Sequence, residues 1–293
     1  MGTRTGNFPI GFRLGWTAWQ KNLKTLAEWA KKSGFDVIDL TQATNEDITV
    51  LRSAGLQIGS VDLLQFGKLM DNDPGLRKDV IAQNVAYVKE SAKIGAKIFF
   101  LCLIPGDPAK KRGENYALAL ESFAPIARAA DEAGASIVIE GWPGPGPHLP
   151  TLCCTPETYR SIIKDLGCKS VGVNYDPSHL IRMGVDHIRF LNEFVDRVFH
   201  VHAKDTEIIT EAVYEYGLYQ SSAFSKEHGF GQHVWRYCLP GHGSARWGEV
   251  FKILKSARYT GAVSVELEDE NFNGTEDGEK AGLLHSLAFL QGV

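Results

Sequence analysis

The absences in this sequence narrow its chemistry before any motif is read. No apolar run approaches the ~20 residues a membrane-spanning helix needs, so no membrane partner is expected. Residues 1–9 hold no apolar stretch of the kind a secretory signal carries, which points to a cytoplasmic protein. Positive charge is not in excess: 31 Lys and Arg face 35 Asp and Glu, a formal net charge of −4. That balance argues against a nucleic-acid partner, which normally selects a basic face. The five cysteines are odd in number, and residues 102, 153, 154, 168 and 238 match no zinc or redox spacing, so reduced thiols are expected. No Gly-x-Gly-x-x-Gly follows the first strand-like run, which removes the usual dinucleotide fingerprint. No glycine-rich phosphate loop is visible either, which favours a substrate without phosphate.

What is present is a rhythm. Eight β-like runs can be read, at residues 10–17, 36–41, 57–64, 97–104, 137–140, 171–176, 198–205 and 263–266. Helical periodicity or a turn leading to a helix follows each. Glycines 34, 55, 95, 134, 167 and 261 stand where helices should stop before the next strand. Strand–helix alternation closes into a barrel or stays an open sheet. Eight units in 293 residues fit the closed (β/α)8 barrel of ~250 residues better. The expectation is a single TIM-barrel domain over residues 1–293.

One segment breaks the alternation. About forty residues after the seventh strand, 206–245, carry Tyr214, Tyr216, Tyr219, Phe224, His228, Phe230, His233, Trp235 and Tyr237. An insertion this long at the C-terminal end of a barrel strand reads as a lid over the mouth or as a subunit contact. The oligomeric state, a homo-oligomer included, is left open by the sequence.

Four strands end on charged or ligating residues. Ile137-Val-Ile-Glu140, Val171-Gly-Val-Asn-Tyr-Asp176, Val198-Phe-His-Val-His202 and Val263-Ser-Val-Glu266 bring three carboxylates and one imidazole to one rim. His200 and His202 share a strand face, with His200 one layer deeper as a packing or supporting residue. Three buried carboxylates repel unless protonated or neutralised. A divalent cation held by Glu140, Asp176, His202 and Glu266 resolves that repulsion, and a hydrogen-bonded polar core is the alternative. Oxygen-rich coordination with one nitrogen suits Mn²⁺ best, with Mg²⁺, Co²⁺ or Zn²⁺ also compatible. His179, three residues past Asp176, is a candidate donor to a substrate hydroxyl. Lys204 and Asp205 either touch substrate or pair with each other. Trp142 lies on the proline- and glycine-rich loop 141–148, expected to be stiff, and is a further candidate for substrate contact.

The order Glu, then Asp-x-x-His, then His-x-His-x-Lys-Asp, then Glu resembles the xylose isomerase-like TIM barrels. These include sugar-phosphate isomerases and epimerases, ketose 3-epimerases and inosose dehydratase-like proteins. The run Leu239-Pro-Gly-His-Gly-Ser-Ala-Arg-Trp247 is similar to the Pro-Gly segment before that family's last helix, and the resemblance spans essentially the whole chain. It implies that Glu140, Asp176, His202 and Glu266 are metal ligands, that Glu140 and Glu266 are the acid/base pair, and that His179 binds a sugar. Ketose 3-epimerases carry an arginine six residues past the metal histidine, where this chain has Ile208.

The expected activity is a metal-dependent ketose isomerase or epimerase, moving a proton between glutamates and an enediolate. A lyase or dehydratase on a keto-sugar, keto-glycoside or keto-inositol is the second reading. A non-catalytic sugar-binding protein is a third. An endonuclease IV-like repair enzyme is remote, because Ser60-Val-Asp-Leu63 and Phe100-Leu-Cys-Leu103 lack the extra metal histidines of that family.

Overall fold

The computed structural model describes residues 2–144 and 150–293. Residues 145–149, the end of the loop read above as stiff, lie outside the described residues and His148 with them. Eight parallel strands close on themselves in the order β1-β10-β7-β6-β5-β4-β3-β2. They are β1 (Ile10–Arg13), β2 (Val37–Leu40), β3 (Gln57–Asp62), β4 (Ile98–Leu101), β5 (Ser136–Glu140), β6 (Val171–Tyr175), β7 (Val198–Ala203) and β10 (Val263–Val265). The barrel is therefore the (β/α)8 fold that the alternation predicts.

The helices that pack outside it include α1 (Leu23–Ser33), α2 (Asn45–Ser53), α3 (Pro74–Ile94), α4 (Arg112–Ala133) and α5 (Pro156–Leu166). Others are α6 (Pro177–Arg182), α7 (His187–Phe194), α9 (Trp247–Ser256) and α10 (Glu276–Gly292). Gly34, Gly95, Gly134 and Gly167 follow α1, α3, α4 and α5 with φ of 100°, 117°, 59° and 62°, the left-handed turn that ends each helix. Gly261 does not play that part. After α9 the left-handed residue is Arg258, at φ 59°, and Gly261 instead leaves room for the Tyr259 ring, since a Cβ there would meet its hydroxyl at 2.4 Å.

Two strands are shorter than their apolar runs suggest. β1 stops at Arg13 because the chain then leaves the barrel wall, and Glu279 gathers the following turn. Its Oε2 accepts from Thr17 Oγ1 at 2.5 Å, Trp19 Nε1 at 2.6 Å and Gln20 Nε2 at 2.9 Å. β4 ends at Leu101, and the rest of its apolar run makes an isolated bridge, Leu103 to Leu152.

The segment after β7 forms a small unit of its own. β8 (Asp205–Ile208) pairs antiparallel with β9 (Trp235–Cys238), and α8 (Thr210–Tyr216) lies between them. Thr206 Oγ1 donates to Ser178 O at 2.8 Å, which seats this ribbon on α6. The aromatics of the segment divide by position: Tyr237 is buried, whereas Tyr214, Tyr219 and Phe224 are exposed.

Candidate active site at the barrel mouth

The local fold aims four side chains at one place. Glu140 is the last residue of β5, in register with Asn174 of β6, whose Nδ2 donates to Glu140 Oε2 at 2.5 Å. Asp176 follows β6 and caps α6, Oδ1 accepting from Ser178 N at 2.8 Å. Its Oδ2 is buried without a hydrogen-bond partner. His202 sits on β7 and Glu266 directly follows β10. His202 Nδ1 is 2.7 Å from Glu140 Oε2 and 3.6 Å from Glu266 Oε2, so it is close to both glutamates. His179 on α6 joins them, with Nε2 3.2 Å from Glu140 Oε1 and 3.4 Å from Asp176 Oδ2.

Cations hold the cluster together. Lys204 is 1% exposed, and its Nζ lies 2.5 Å from Glu266 Oε2, 2.9 Å from Glu268 Oε2 and 3.4 Å from Asp176 Oδ2. Arg13 makes a bidentate pair with Asp62 at 2.7 and 2.8 Å and places Nε 3.4 Å from Glu266 Oε1. Burial and the charge of Glu266 push the Glu140 carboxyl up, but His202 and His179 outweigh them and hold it well below the usual range. Burial likewise opposes ionisation of Glu266, and Lys204, His202 and Arg13 overcome it. Asp176 and Glu268 go the other way, because burial outweighs their cationic neighbours. Carboxylates a few ångströms apart are thus driven in opposite directions, the pattern expected where acid and base roles divide.

Beneath this layer Asp39 of β2 ties the barrel interior together. Its Oδ2 is 2.8 Å from His200 Nε2 and 3.4 Å from His202 Nε2, and its Oδ1 accepts from Ser60 N and Ser264 Oγ, both at 3.0 Å. Burial alone would raise the Asp39 carboxyl, but the two imidazoles hold it well below the usual range. His202 is pushed well above an ordinary imidazole by Glu140 and Glu266, against the cost of burial.

The donor set fits a divalent cation. Glu140, Asp176, His179 and Glu266 each offer a ligand atom within 4.8 Å of the others. His202 adds a ring nitrogen facing two of these carboxylates, and neither of its nitrogens has a hydrogen-bond partner. Among the carboxylate oxygens of the cluster, Asp176 Oδ2 is the buried one without a hydrogen-bond partner, a cost that a bound cation would remove. Oxygen donors with imidazole suit a hard or borderline dication.

Of the four residues expected as ligands, Glu140, Asp176 and Glu266 come together, with His179 as the imidazole of that group. His202 touches Glu140 and Glu266 but groups with Asp39 and His200, and Lys204 lies against Glu266 and Asp176. Trp142 packs against the small apolar cluster of Phe100, Cys102 and Val138, and the Phe100 ring stacks on His202 at 5.4 Å. Asp205 is directed elsewhere. Its oxygens accept from Thr206 N, Ala245 N, Gly241 N and Trp247 Nε1 at 2.8 to 3.2 Å, and no ion pair joins it to Lys204 among the described residues. Ile208 faces Trp235 across the β8–β9 ribbon, and Arg182 reaches that wall from α6, its guanidinium 4.1 Å from the Trp235 ring.

Sequence reasoning did not single out Arg13, Asp39, Glu268 or Tyr237 as site residues. An aspartate and an arginine inside apolar strand runs were the available signals for Asp39 and Arg13. Glu268 lies two residues past Glu266 and was legible only as an extension of that strand end. Tyr237 could not be separated by sequence from the other aromatics of its segment.

Barrel, mouth cluster and strand-end order together define a (β/α)8 protein with an acidic, histidine-containing centre. A family model described as xylose isomerase-like TIM barrel matches residues 27–292, and the chain belongs to that family. Among curated proteins it is 34% identical over 120 residues to the uncharacterized protein YfiH of Bacillus subtilis, covering 40% of this chain and 37% of that one. It is 28% identical over 158 residues to inosose dehydratase of Geobacillus thermodenitrificans, covering 54% and 48%. The chain thus spans less than half the length of these two relatives. Among solved structures, 3-keto-D-glucoside 4-epimerase from E. coli superposes with a TM-score of 0.68 at 18% identity, covering 97% of this chain and 98% of that one. D-psicose 3-epimerase from Clostridium cellulolyticum gives 0.68 at 16%, covering 96% and 98%.

Proposed function

We propose that this protein is a divalent-metal-dependent sugar isomerase or epimerase acting on a ketose. The observation that carries the reading is that Glu140 Oε2 and Glu266 Oε2 both lie close to His202 Nδ1, at 2.7 and 3.6 Å. Glu140, Asp176, His202 and Glu266 would hold the cation, Mn²⁺ first among candidates. Bound there, it supplies Lewis acidity to a substrate carbonyl and its neighbouring hydroxyl.

The chain's own groups do the rest. Glu140 and Glu266, both held as carboxylates, are bases able to take an α-proton. One removes it and becomes the carboxylic acid. That acid returns the proton to the neighbouring carbon (isomerisation), or the other glutamate, after taking a proton from solvent, delivers it to the opposite face of the same carbon (epimerisation). Lys204 and Arg13 keep Glu266 ionised, and Lys204 also faces Glu268. His179 is proposed to donate to a substrate hydroxyl, with the Tyr237 ring packed edge-on against it. Asp205 acts in this reading as the anchor of residues 241–247 rather than as a substrate contact. The insertion, with Tyr237 against His179, closes one side of the mouth. The five cysteines are buried free thiols, in keeping with a cytoplasmic setting.

A second reading, a lyase or dehydratase, draws support from the curated relatives named inosose dehydratase. The same proton abstraction then expels a β-leaving group. Incubation with Mn²⁺ and a panel of ketoses in D₂O, followed by proton NMR, separates the two. Deuterium exchange or a new epimer is the expected outcome, and loss of water or of an aglycone favours the lyase. No exchange with any ketose, keto-glycoside or keto-inositol under any divalent metal would remove both.

A further inference from the structure

We propose that the cavity between α6 and the insertion is a subsite for a ring-sized, largely apolar group carried by the sugar. The preferred substrate is then a keto-sugar bearing an aryl group rather than a free ketose. The chemistry at the sugar is that of the function proposed above, on which this inference rests. The cavity measures about 520 Å³, within the ~300–1,000 Å³ of small-molecule sites. Among the described residues, its apolar lining includes Met183 just after α6, Ile208 and Trp235 of the ribbon, and Leu218 and Tyr219 of the loop after α8. Met183, Leu218 and Tyr219 are 38%, 56% and 71% exposed. Single exposed apolar side chains are ordinary, but three around one hollow mark a surface that a ligand covers.

The cavity adjoins the mouth. Three segments each carry one residue of the mouth and, a short step away, one residue of the cavity wall. On α6, Arg182 follows His179 by three positions, a rise of ~4.5 Å. On β9, Trp235 precedes Tyr237 by two positions, ~7 Å along the strand. After β5, Pro143 lies three positions past Glu140, within ~11 Å. These steps are comparable to the reach of one sugar ring with its linkage. Arg182 and Tyr237 form the shared boundary. Arg182 Nη1 donates to the Tyr237 hydroxyl at 2.7 Å, its guanidinium lies 4.1 Å from the Trp235 ring, and the Tyr237 ring packs edge-on against His179 at 5.3 Å.

The character of the wall selects the group. Aliphatic and aromatic side chains beside a guanidinium favour a flat ring. Thr151, Thr155 and Glu157 add hydrogen-bonding groups for substituents on that ring. A second sugar would need polar partners around its whole edge instead.

Calorimetry on the full-length protein with Mn²⁺ tests this, using para-nitrophenyl β-D-glucoside and methyl β-D-glucoside, which differ only beyond the sugar. The expected result is binding of the aryl glycoside about tenfold tighter or more, the scale of burying one ring. Met183→Trp fills the cavity from its exposed edge and should erase that preference, with affinity for the methyl glycoside unchanged. If this variant does not fold, Tyr219→Ala, which removes one wall, takes its place. No binding of the aryl glycoside, equal affinity for both, or a preference that the variant retains overturns the subsite. Tighter binding of methyl β-cellobioside than of the aryl glycoside also overturns it, in favour of a second sugar. Turnover of free ketoses without an aryl preference would remove the subsite and keep the proposed function. An aryl preference without proton exchange in any ketose or keto-glycoside would do the reverse.

Discussion

Lys204 Nζ lies 2.5 Å from Glu266 Oε2 in a setting where the lysine is 1% exposed. A fully buried ammonium stays charged only when carboxylates surround it, and Glu266, Glu268 and Asp176 do so, keeping Lys204 well above the usual lysine range despite burial. Removing one partner of such a group strands the others. Lys204→Met should therefore destabilise the protein by about 3–5 kcal/mol in urea unfolding, the usual cost of breaking a buried pair. Mn²⁺ should restore more stability to the variant than it adds to the wild type. Equal responses to the metal would show that Lys204 does not share the cation's carboxylates.

Glu140→Gln and Glu266→Gln each keep the shape of the side chain and remove its basicity. Solvent deuterium incorporation into a converted ketose should fall ~10²- to 10⁴-fold in each, the usual contribution of a placed general base. Elemental analysis should also find less bound cation in both variants. If these variants and the wild type all lacked a cation under every condition, the metal-dependent reading would have to be withdrawn.

His202 ties the metal to pH. In the metal-free protein its proton is held well above the ordinary value of 6.5 by Glu140 and Glu266. A cation can take the ring nitrogen only after that proton leaves, so affinity should rise with pH up to the folded-state value and each binding event should release a proton. Calorimetry in two buffers of different ionisation enthalpy measures that release. The sign for stability is the reverse. A raised folded value stabilises fully below pH 6.5 and is lost as pH climbs through the folded value, so the metal-free protein should weaken toward alkaline pH. Binding without proton release near neutral pH would exclude His202 as a ligand.

Asp205 invites a contrasting test. Three backbone amides and the Trp247 indole donate to its two oxygens, and the residue is wholly buried. Asp205→Ala should cost about 3 kcal/mol or more in urea unfolding, since several buried donors lose their acceptor together. A variant of unchanged stability with only a raised KM would return Asp205 to the role of substrate contact.

The contrast between Asp205 and Glu140 shows how far the sequence could be read. The barrel was legible because strand–helix alternation and helix-ending glycines are local signals. The convergence of Glu140, Asp176 and Glu266 was legible because a charge at the end of an apolar strand is costly anywhere but at the mouth, whereas the imidazole that groups with them is His179 and not His202. Asp205 follows the same rule, yet its four donors come from residues 206 and 241–247, pairings that no spacing reveals. Tyr237 was hidden for a related reason. Its neighbours in sequence are also aromatic, and only the β8–β9 register decides that it, and not Tyr219 or Phe224, turns inward. Arg258 rather than Gly261 adopts the left-handed turn after α9, and Gly261 is instead packed against the Tyr259 ring, where a Cβ would meet the hydroxyl at 2.4 Å.

The seam where β1 meets β10 has a temporal consequence. Arg13 and Glu266, 3.4 Å apart in the finished fold, are separated by more than 250 positions of chain. As the polypeptide leaves the ribosome, Glu140, Asp176, His202 and Lys204 emerge before the glutamate that neutralises the lysine. Ring closure by the last strand, rather than collapse of the early ones, is then the event that switches the mouth from an unbalanced set of charges to a competent one. Nascent chains halted before residue 263 should recruit chaperones and bind no cation tightly.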